Sequence, residues 1–371
     1  MTLQSTTKST TAVRAVCAFV FCLFSFAYLY VYQADILSYI GFQLTHEYYN
    51  DLVEALVLTG LLQFLQYKIA KLFPFGVRAH ALTYVPSMLI LFLLTEIWLW
   101  GGWLFPLAIA VVVMGLWLGG YYLQRDFIPV KERSVFFLLS RSMWVNLLVL
   151  TLMMIVVATV GTDNAVLHYR LKAEAALLRG DTEGALKAGK KSLETDASLT
   201  MLRAYALAKE GRLGDALFTY AVAGTGKDLL PSASVAGKNL WPSADARLLM
   251  FPQQEISRFV KTHRRVAADY RLCGCLMDGR LDDFVRMLPT VYAEHDSLPL
   301  HYREALTLYT HLRSQPRIVY HHAVMDEDYN NMKQLERNCH SATERHLKVM
   351  EQFGNTYWYY YNYVWRSRKS E

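Results

Sequence analysis

The chain changes character once. Up to about residue 160, apolar runs with almost no charge alternate with short polar joints; beyond it, acids and bases are interleaved throughout. The apolar runs are Ala15 to Tyr32, Leu52 to Tyr67, Ala81 to Leu99, Trp103 to Leu123 and Met143 to Val160. Each approaches the roughly 20 residues that an α-helix needs to cross a bilayer. The pattern predicts an all-α protein: five transmembrane helices over residues 1–162, then an extracytoplasmic helical-repeat domain over 163–371 that ends in an aromatic segment.

The joints orient the spans. Lys8 and Arg14 precede the first run, and that run lacks a small-residue cleavage site, so it reads as an uncleaved anchor. Lys68, Lys71 and Arg78 lie between the second and third runs, and Arg125, Lys131, Arg133 and Arg141 between the fourth and fifth. Segments 33–51 and 100–102 carry no Lys or Arg. The positive-inside rule then puts the N-terminus in the cytoplasm and the C-terminal domain outside it. Trp98, Trp100 and Trp103 around Gly101-Gly102 suit a hairpin at the membrane interface, and Val135 to Leu139 either lies at the interface or extends the fifth span inward.

In the second half the chain repeats itself. GDTEGAL (180–186), GRLGDAL (211–217) and GRLDDFV (279–285) are spaced by roughly one and two 34-residue units, and each sets a turn glycine before an apolar helix face. Ala173 aligns with Ala204 before the turn and Ala185 with Ala216 after it, small residues that let paired helices approach. AEAALLRGDTEGAL and RAYALAKEGRLGDAL resemble tetratricopeptide helix pairs, although the first-helix aromatic is weak and Phe284 stands where a small residue is usual. With LPLHYREALTLY and YWYYYNY, the chain as a whole resembles uncharacterised bacterial multipass proteins with an outer tetratricopeptide-like domain. That resemblance implies a Gram-negative inner membrane and carries no catalytic residues. Gly224 to Pro252 reads as a long loop wrapped on the repeats, Tyr302 to Leu312 as a helix, and Asp326 to Gln352 as one long polar helix. Tyr357 to Trp365 reads as a cap over the end of the stack.

Charge narrows the function classes. Residues 1–162 hold nine Lys and Arg against seven Asp and Glu, and residues 163–371 hold 29 against 25, which argues against nucleic acid as a partner. Cys273-Gly274-Cys275 has too short a spacing for a zinc site; in an oxidising compartment Cys339 would pair with one of these two. His321, His322, Glu336, Cys339, His340 and Glu344 read as solvated helix faces rather than as metal ligands. No phosphate loop, dinucleotide turn, nucleophile elbow or HExxH occurs, and no cofactor is expected.

Glu47, Asp51 and Glu54 stand on one helical face at the outer end of the second span, near His46 and Asn50. They are candidates for a general base or a cation site, weighed against an interfacial cap paired with a base. Thr59, Gln63 and Gln66 form a polar stripe suited to helix-to-helix hydrogen bonds. The expected function is a membrane-anchored envelope scaffold that binds a protein or peptide through its repeats. The alternative is a transferase on a lipid-linked substrate, or an ion-handling protein, using the three carboxylates. The orientation is testable: a reporter active only outside the cytoplasm should work when fused after Glu371 and stay silent after Lys71, and the reverse pattern would overturn it.

Overall fold

A computed structural model of the protein describes residues 2–45, 51–96, 104–125, 141–160, 164–231, 250–293 and 297–370. Among them every regular element is helical. They form two compact units, Met1–Asn164 and Ala165–Glu371.

The first unit begins with α1 (Thr2–Ala27), which continues through a π-helical turn at Tyr28–Tyr32, and α2 (Ala34–Thr45). Then come α3 (Asp51–Leu72), a 3-10 stretch (Val77–Tyr84) running into α4 (Val85–Glu96), α5 (Leu104–Arg125) and α6 (Arg141–Val160). Five stretches are long and apolar enough to cross a membrane: Thr11–Tyr32, Leu52–Leu72, Val77–Thr95, Phe105–Leu123 and Arg141–Val160. Large exposed apolar side chains concentrate on this unit; among the described residues the exceptions are Leu193, Leu230, Val319, Val324 and Leu347. An apolar exterior of this extent suits a lipid surround.

The third span starts earlier than the hydrophobic pattern indicates, because its first turns draw polar support from a neighbour. Asn146 of α6 accepts from the Ala81 amide at 2.6 Å and donates to the Val77 carbonyl at 2.7 Å, so backbone groups near Arg78 and His80 are satisfied. Segment 33–51, read only as an outer joint, contains α2, with Ile36, Leu37 and Tyr39 buried. The polar stripe bonds to a neighbouring element through one member: Gln63 donates to Gln66 within α3 at 3.0 Å, and Gln66 donates across to Thr83 at 2.8 Å. Thr59 buries its hydroxyl without a partner among the described residues. The tryptophan hairpin at 98–103 and the segment at 135–139 lie outside the described residues.

The second unit opens with three helical hairpins: α7 (Ala165–Leu178) with α8 (Thr182–Lys187), α9 (Ala197–Lys209) with α10 (Leu213–Ala216), and, after α11 (Gln253–Thr262), α12 (Arg264–Met277) with α13 (Leu281–Met287). All three turn in the same way. Gly180, Gly211 and Gly279 have φ of 76°, 70° and 65°, the left-handed region that glycine enters at little cost. In each, the glycine amide bonds three residues back (to Leu177, Ala208 and Leu276) and the next amide five back (to Ala176, Leu207 and Cys275), the Schellman closure of a helix end. Ala173, Ala185, Ala204 and Ala216 are all buried in one core. Phe284, large where the pattern favours a small residue, is fully buried and meets Tyr302 edge-on, with ring centroids 5.4 Å apart.

The stack continues with α14 (Leu300–Leu312), α15 (Ala323–Arg337) and α16 (Ala342–Phe353). The single helix expected over 326–352 is in fact two. Ser341 caps α16 by accepting from the Glu344 amide at 3.1 Å, and Glu344 reaches back to the His340 amide at 3.0 Å, which starts a new helix there. Of the loop expected at 224–252, residues 232–249, including Trp241-Pro242, lie outside the described residues.

The aromatic segment forms α17 (Tyr357–Tyr359), a π-helical stretch (Tyr360–Trp365) and α18 (Arg366–Ser370). It does not cap the end of the stack. It runs across its side, touching successive hairpins: Trp358 donates to the Glu304 carbonyl of α14 at 2.7 Å, Tyr357 and Tyr360 donate to the Leu276 and Met277 carbonyls of α12 at 3.1 and 2.9 Å, and Arg368 donates to the Gly224 carbonyl at 3.2 Å. A helix end carries carbonyls without intrahelical donors, and these side chains serve two of α12: Tyr360 that of Met277, and Tyr357 that of Leu276 beside the Gly279 amide.

The three turns differ in one respect. A Cβ at Gly211 would meet open space, whereas at Gly279 it would land inside the Trp365 indole. Gly211→Ala should therefore cost about 1–2 kcal/mol for left-handed backbone alone. Gly279→Ala should cost a further ~1–3 kcal/mol for overpacking. Equal losses in thermal unfolding of the whole protein would show that Trp365 does not close on the third turn.

Candidate functional site

The carboxylate face singled out from sequence is incompletely visible. Glu47, His46 and Asn50 lie outside the described residues. Asp51 opens α3, and one turn on Glu54 lays its carboxylate against Gly41 of α2, where any side chain would collide with it. Glu54 thus meets α2 at a position that a glycine leaves clear for it.

The second unit contains a polar cleft of about 270 Å³ between the second and third hairpins. Gly211, Leu213 and Asp215 form one wall, Arg265, Val266 and Asp269 of α12 the other, and Tyr292 with Ser297–Pro299 closes it. The helical repeat of α12 places Arg265 and Asp269 one turn apart on the same face. Asp269 is the centre of the arrangement: Oδ1 accepts from the Tyr292 hydroxyl at 2.7 Å and from the Tyr302 hydroxyl at 3.0 Å. The Arg265 guanidinium lies over the Tyr292 ring, 4.3 Å from its centroid. Asp215, reaching over from α10, accepts from the Leu300 amide at 2.7 Å and so caps α14.

Burial raises the Asp269 pKa above its ordinary value; the two tyrosine hydroxyls and Arg265 pull it back, and Asp215 adds to the rise. The same burial pushes the Tyr292 and Tyr302 hydroxyls up, so they stay protonated donors. Cys273, one turn from Asp269, lies 3.5 Å from the Tyr302 hydroxyl, and burial holds its thiol protonated and inert. Two carboxylates against one guanidinium leave the lining one negative charge in excess, which favours a polar, cationic guest.

The expected disulfide is not formed. Cys273, Cys275 and Cys339 are buried free thiols, and Cys339, just past the end of α15, donates to the Leu335 carbonyl of that helix at 3.2 Å. The C-G-C motif lies at a close backbone approach that depends on Gly226: a Cβ there would strike the Gly274 backbone of α12. Among the described residues, no three His, Cys, Asp or Glu side chains converge as metal ligands.

Sequence reasoning missed the cleft because its members come from four separate stretches. A signal existed in Arg265 and Asp269 at i, i+4 on a helix with an apolar opposite face, but such spacing is common on solvated helices.

Residues 253–364 match a family of unknown function (DUF6057). The match runs from α11 into the aromatic segment and takes in Arg265, Asp269, Tyr292 and Tyr302 but not Asp215; it covers the C-terminal region rather than most of the chain. No curated protein and no solved structure matches the chain significantly.

A carboxyl whose pKa is raised on folding contributes stability below its unfolded pKa and loses it as pH rises through the folded one. Asp269→Asn should therefore gain in thermal stability relative to the natural protein as pH is raised from about 3.5 to about 6.5. A difference that stays flat over this window would mean that the carboxylate is solvated.

Proposed function

We propose that the protein is a membrane-anchored scaffold of the bacterial inner membrane whose extracytoplasmic, tetratricopeptide-like unit binds a protein or peptide partner. The observation that carries this reading is the threefold recurrence of one helix–glycine–helix turn, with an ion-lined cleft left open between the second and third hairpins. Stacked helix pairs expose extended surfaces on which segments of other chains lie. The excess negative charge of the cleft selects a basic residue or a terminal amine of the partner. The Lys/Arg distribution of the joints supports an outer location for the repeats.

The envelope-transferase reading rests on Glu47, Asp51 and Glu54, and the contact of Glu54 with Gly41 gives it no added support. The two readings separate in cells. A photo-cross-linking residue at Ser297, on the rim of the cleft, should yield a defined adduct that weakens several-fold on Asp269→Asn, while the same probe at Lys348 of α16 should not. Replacing Glu47, Asp51 and Glu54 by Gln, Asn and Gln should leave the adduct and the cellular phenotype intact. Loss of phenotype in that triple variant, with the adduct preserved, would turn the argument toward the enzyme.

A further inference from the structure

The interior of the first unit is more polar than an anchor requires. Along the third apolar stretch, Val77–Thr95, the residues His80, Thr83, Tyr84, Ser87 and Thr95 recur at helical spacing, and none is more than 5% exposed. α3 faces them with Thr59, Gln63 and Gln66, and α1 with its π-helical turn adds Cys22, Ser25 and Tyr28.

Contacts between these elements fix their register. Gln66 reaches Thr83, and Ser87 donates to the Leu62 carbonyl at 2.9 Å, so α3 runs antiparallel to the third stretch. The Phe21 ring lies 4.8 Å from that of Tyr84, and Tyr28 donates to Thr95 at 3.3 Å, so α1 runs parallel to it. Cys22 meets Gln63 at 3.7 Å; one turn further on, Ser25 and Thr59 fall at a common level between Ser87 and Thr95. The polar side chains therefore form a row from near the start of the stretch to its end.

Bonds between helices explain part of this row. The rest is without partners. The hydroxyls of Ser25, Thr59 and Tyr84 are enclosed and have no hydrogen bond among the described residues. The His80 ring, 5% exposed, meets the Tyr84 ring edge-on and makes no hydrogen bond there either. Arg14 of α1 lies within electrostatic reach of it, Arg78 precedes it by two residues, and α6, packed on the same stretch, brings Asn146, which is engaged with the Val77 and Ala81 backbone. Enclosed polar groups without a protein partner are costly, and bound water is what ordinarily satisfies them. A metal ion does not suit the row, which holds no carboxylate to balance it. Within the row, imidazole is the side chain that can take a proton on one nitrogen while it gives one up from the other.

We propose that the first unit carries a file of bound water along this row and that protons cross the unit through it by way of His80. Each proton that enters at one end is matched by one that leaves at the other, so nothing is oxidised or reduced, and the charge moved is balanced by a counter-ion crossing elsewhere. This activity is separate from the binding assigned to the second unit.

The test uses the full chain in liposomes that enclose a pH-sensitive dye, with potassium efflux through valinomycin drawing protons inward. Internal acidification should be several-fold faster than in protein-free vesicles. His80→Gln keeps a polar side chain but cannot relay a proton, and should return the rate to that of empty vesicles. Tyr84→Phe and Thr59→Val each remove a hydroxyl that holds water, and should slow it several-fold. Thr159→Val should leave it unchanged, since that exposed hydroxyl lies off the row and bonds the Ile155 carbonyl of its own helix at 2.8 Å. Thermal unfolding in detergent reads the fold of each variant separately; should His80→Gln not fold, the two hydroxyl variants carry the same test. A natural chain that conducts no faster than empty vesicles would overturn the proposal. So would folded variants of the row that all conduct like the natural chain, which would leave the row as bonding between helices alone.

Discussion

The second unit depends on one buried carboxylate. Glu304, in the middle of α14, is nearly inaccessible to solvent, and so is His301 beside it. The Phe218 amide donates to His301 Nε2 at 3.3 Å; that nitrogen must accept, so the ring proton sits on Nδ1 and points at Glu304, 2.9 Å away. The same carboxylate takes the Tyr357 amide at 2.7 Å, the first amide of the aromatic helix, and the Glu304 carbonyl takes the Trp358 indole. One residue therefore joins the second hairpin, α14 and the C-terminal segment. Without a partner, a carboxylate in that position would be strongly unfavourable, which makes the arrangement close to all-or-none. Phe218 closes it from the other side, with the rings of His301, Tyr357 and Tyr360 all within 5.3 Å of its own.

Arg203 plays the corresponding part at the other end. It is almost wholly buried, and burial lowers its pKa to about 10, still far above neutrality. Among the described residues no carboxylate is bonded to it; its charge is spread over the carbonyls of Ala188, Gly189 and Ala221, and the guanidinium lies over Tyr220. Carbonyls at the end of a short helix such as α8 carry partial negative charge and lack intrahelical donors, so a guanidinium fits them. Burying charge against backbone rather than against another charge ties a loop to a helix without demanding a matched pair.

The parts of the fold legible in the sequence are those governed by local rules. The five apolar runs, the glycine turns at 180, 211 and 279 and the alanines packed around them follow from span length, backbone conformation and side-chain size. The break before α16 was legible too, in the Ser341-Ala-Thr-Glu344 capping pattern, but the run of polar residues concealed it. What could not be read depends on distant partners. Asn146 extends a span past Arg78, Gly41 receives Glu54, and Asp269 becomes a site only because Tyr292 and Tyr302 arrive from other elements. The aromatic segment shows the same limit: its composition announces burial, while its path across the hairpins is dictated by carbonyls at helix ends that no periodicity reveals.

That path has a consequence for the chain during synthesis. Residues 165–312, the hairpins and α14, emerge from the ribosome before the segment that covers their side. At translation rates of about 5–20 residues per second, the interval between Leu312 and Tyr357 lasts several seconds. Throughout it the Glu304 carboxylate lacks its Tyr357 donor, and the Met277 carbonyl of α12 lacks the Tyr360 hydroxyl. The buried polar network of the second unit is therefore complete only once Tyr357 and Trp358 have been made.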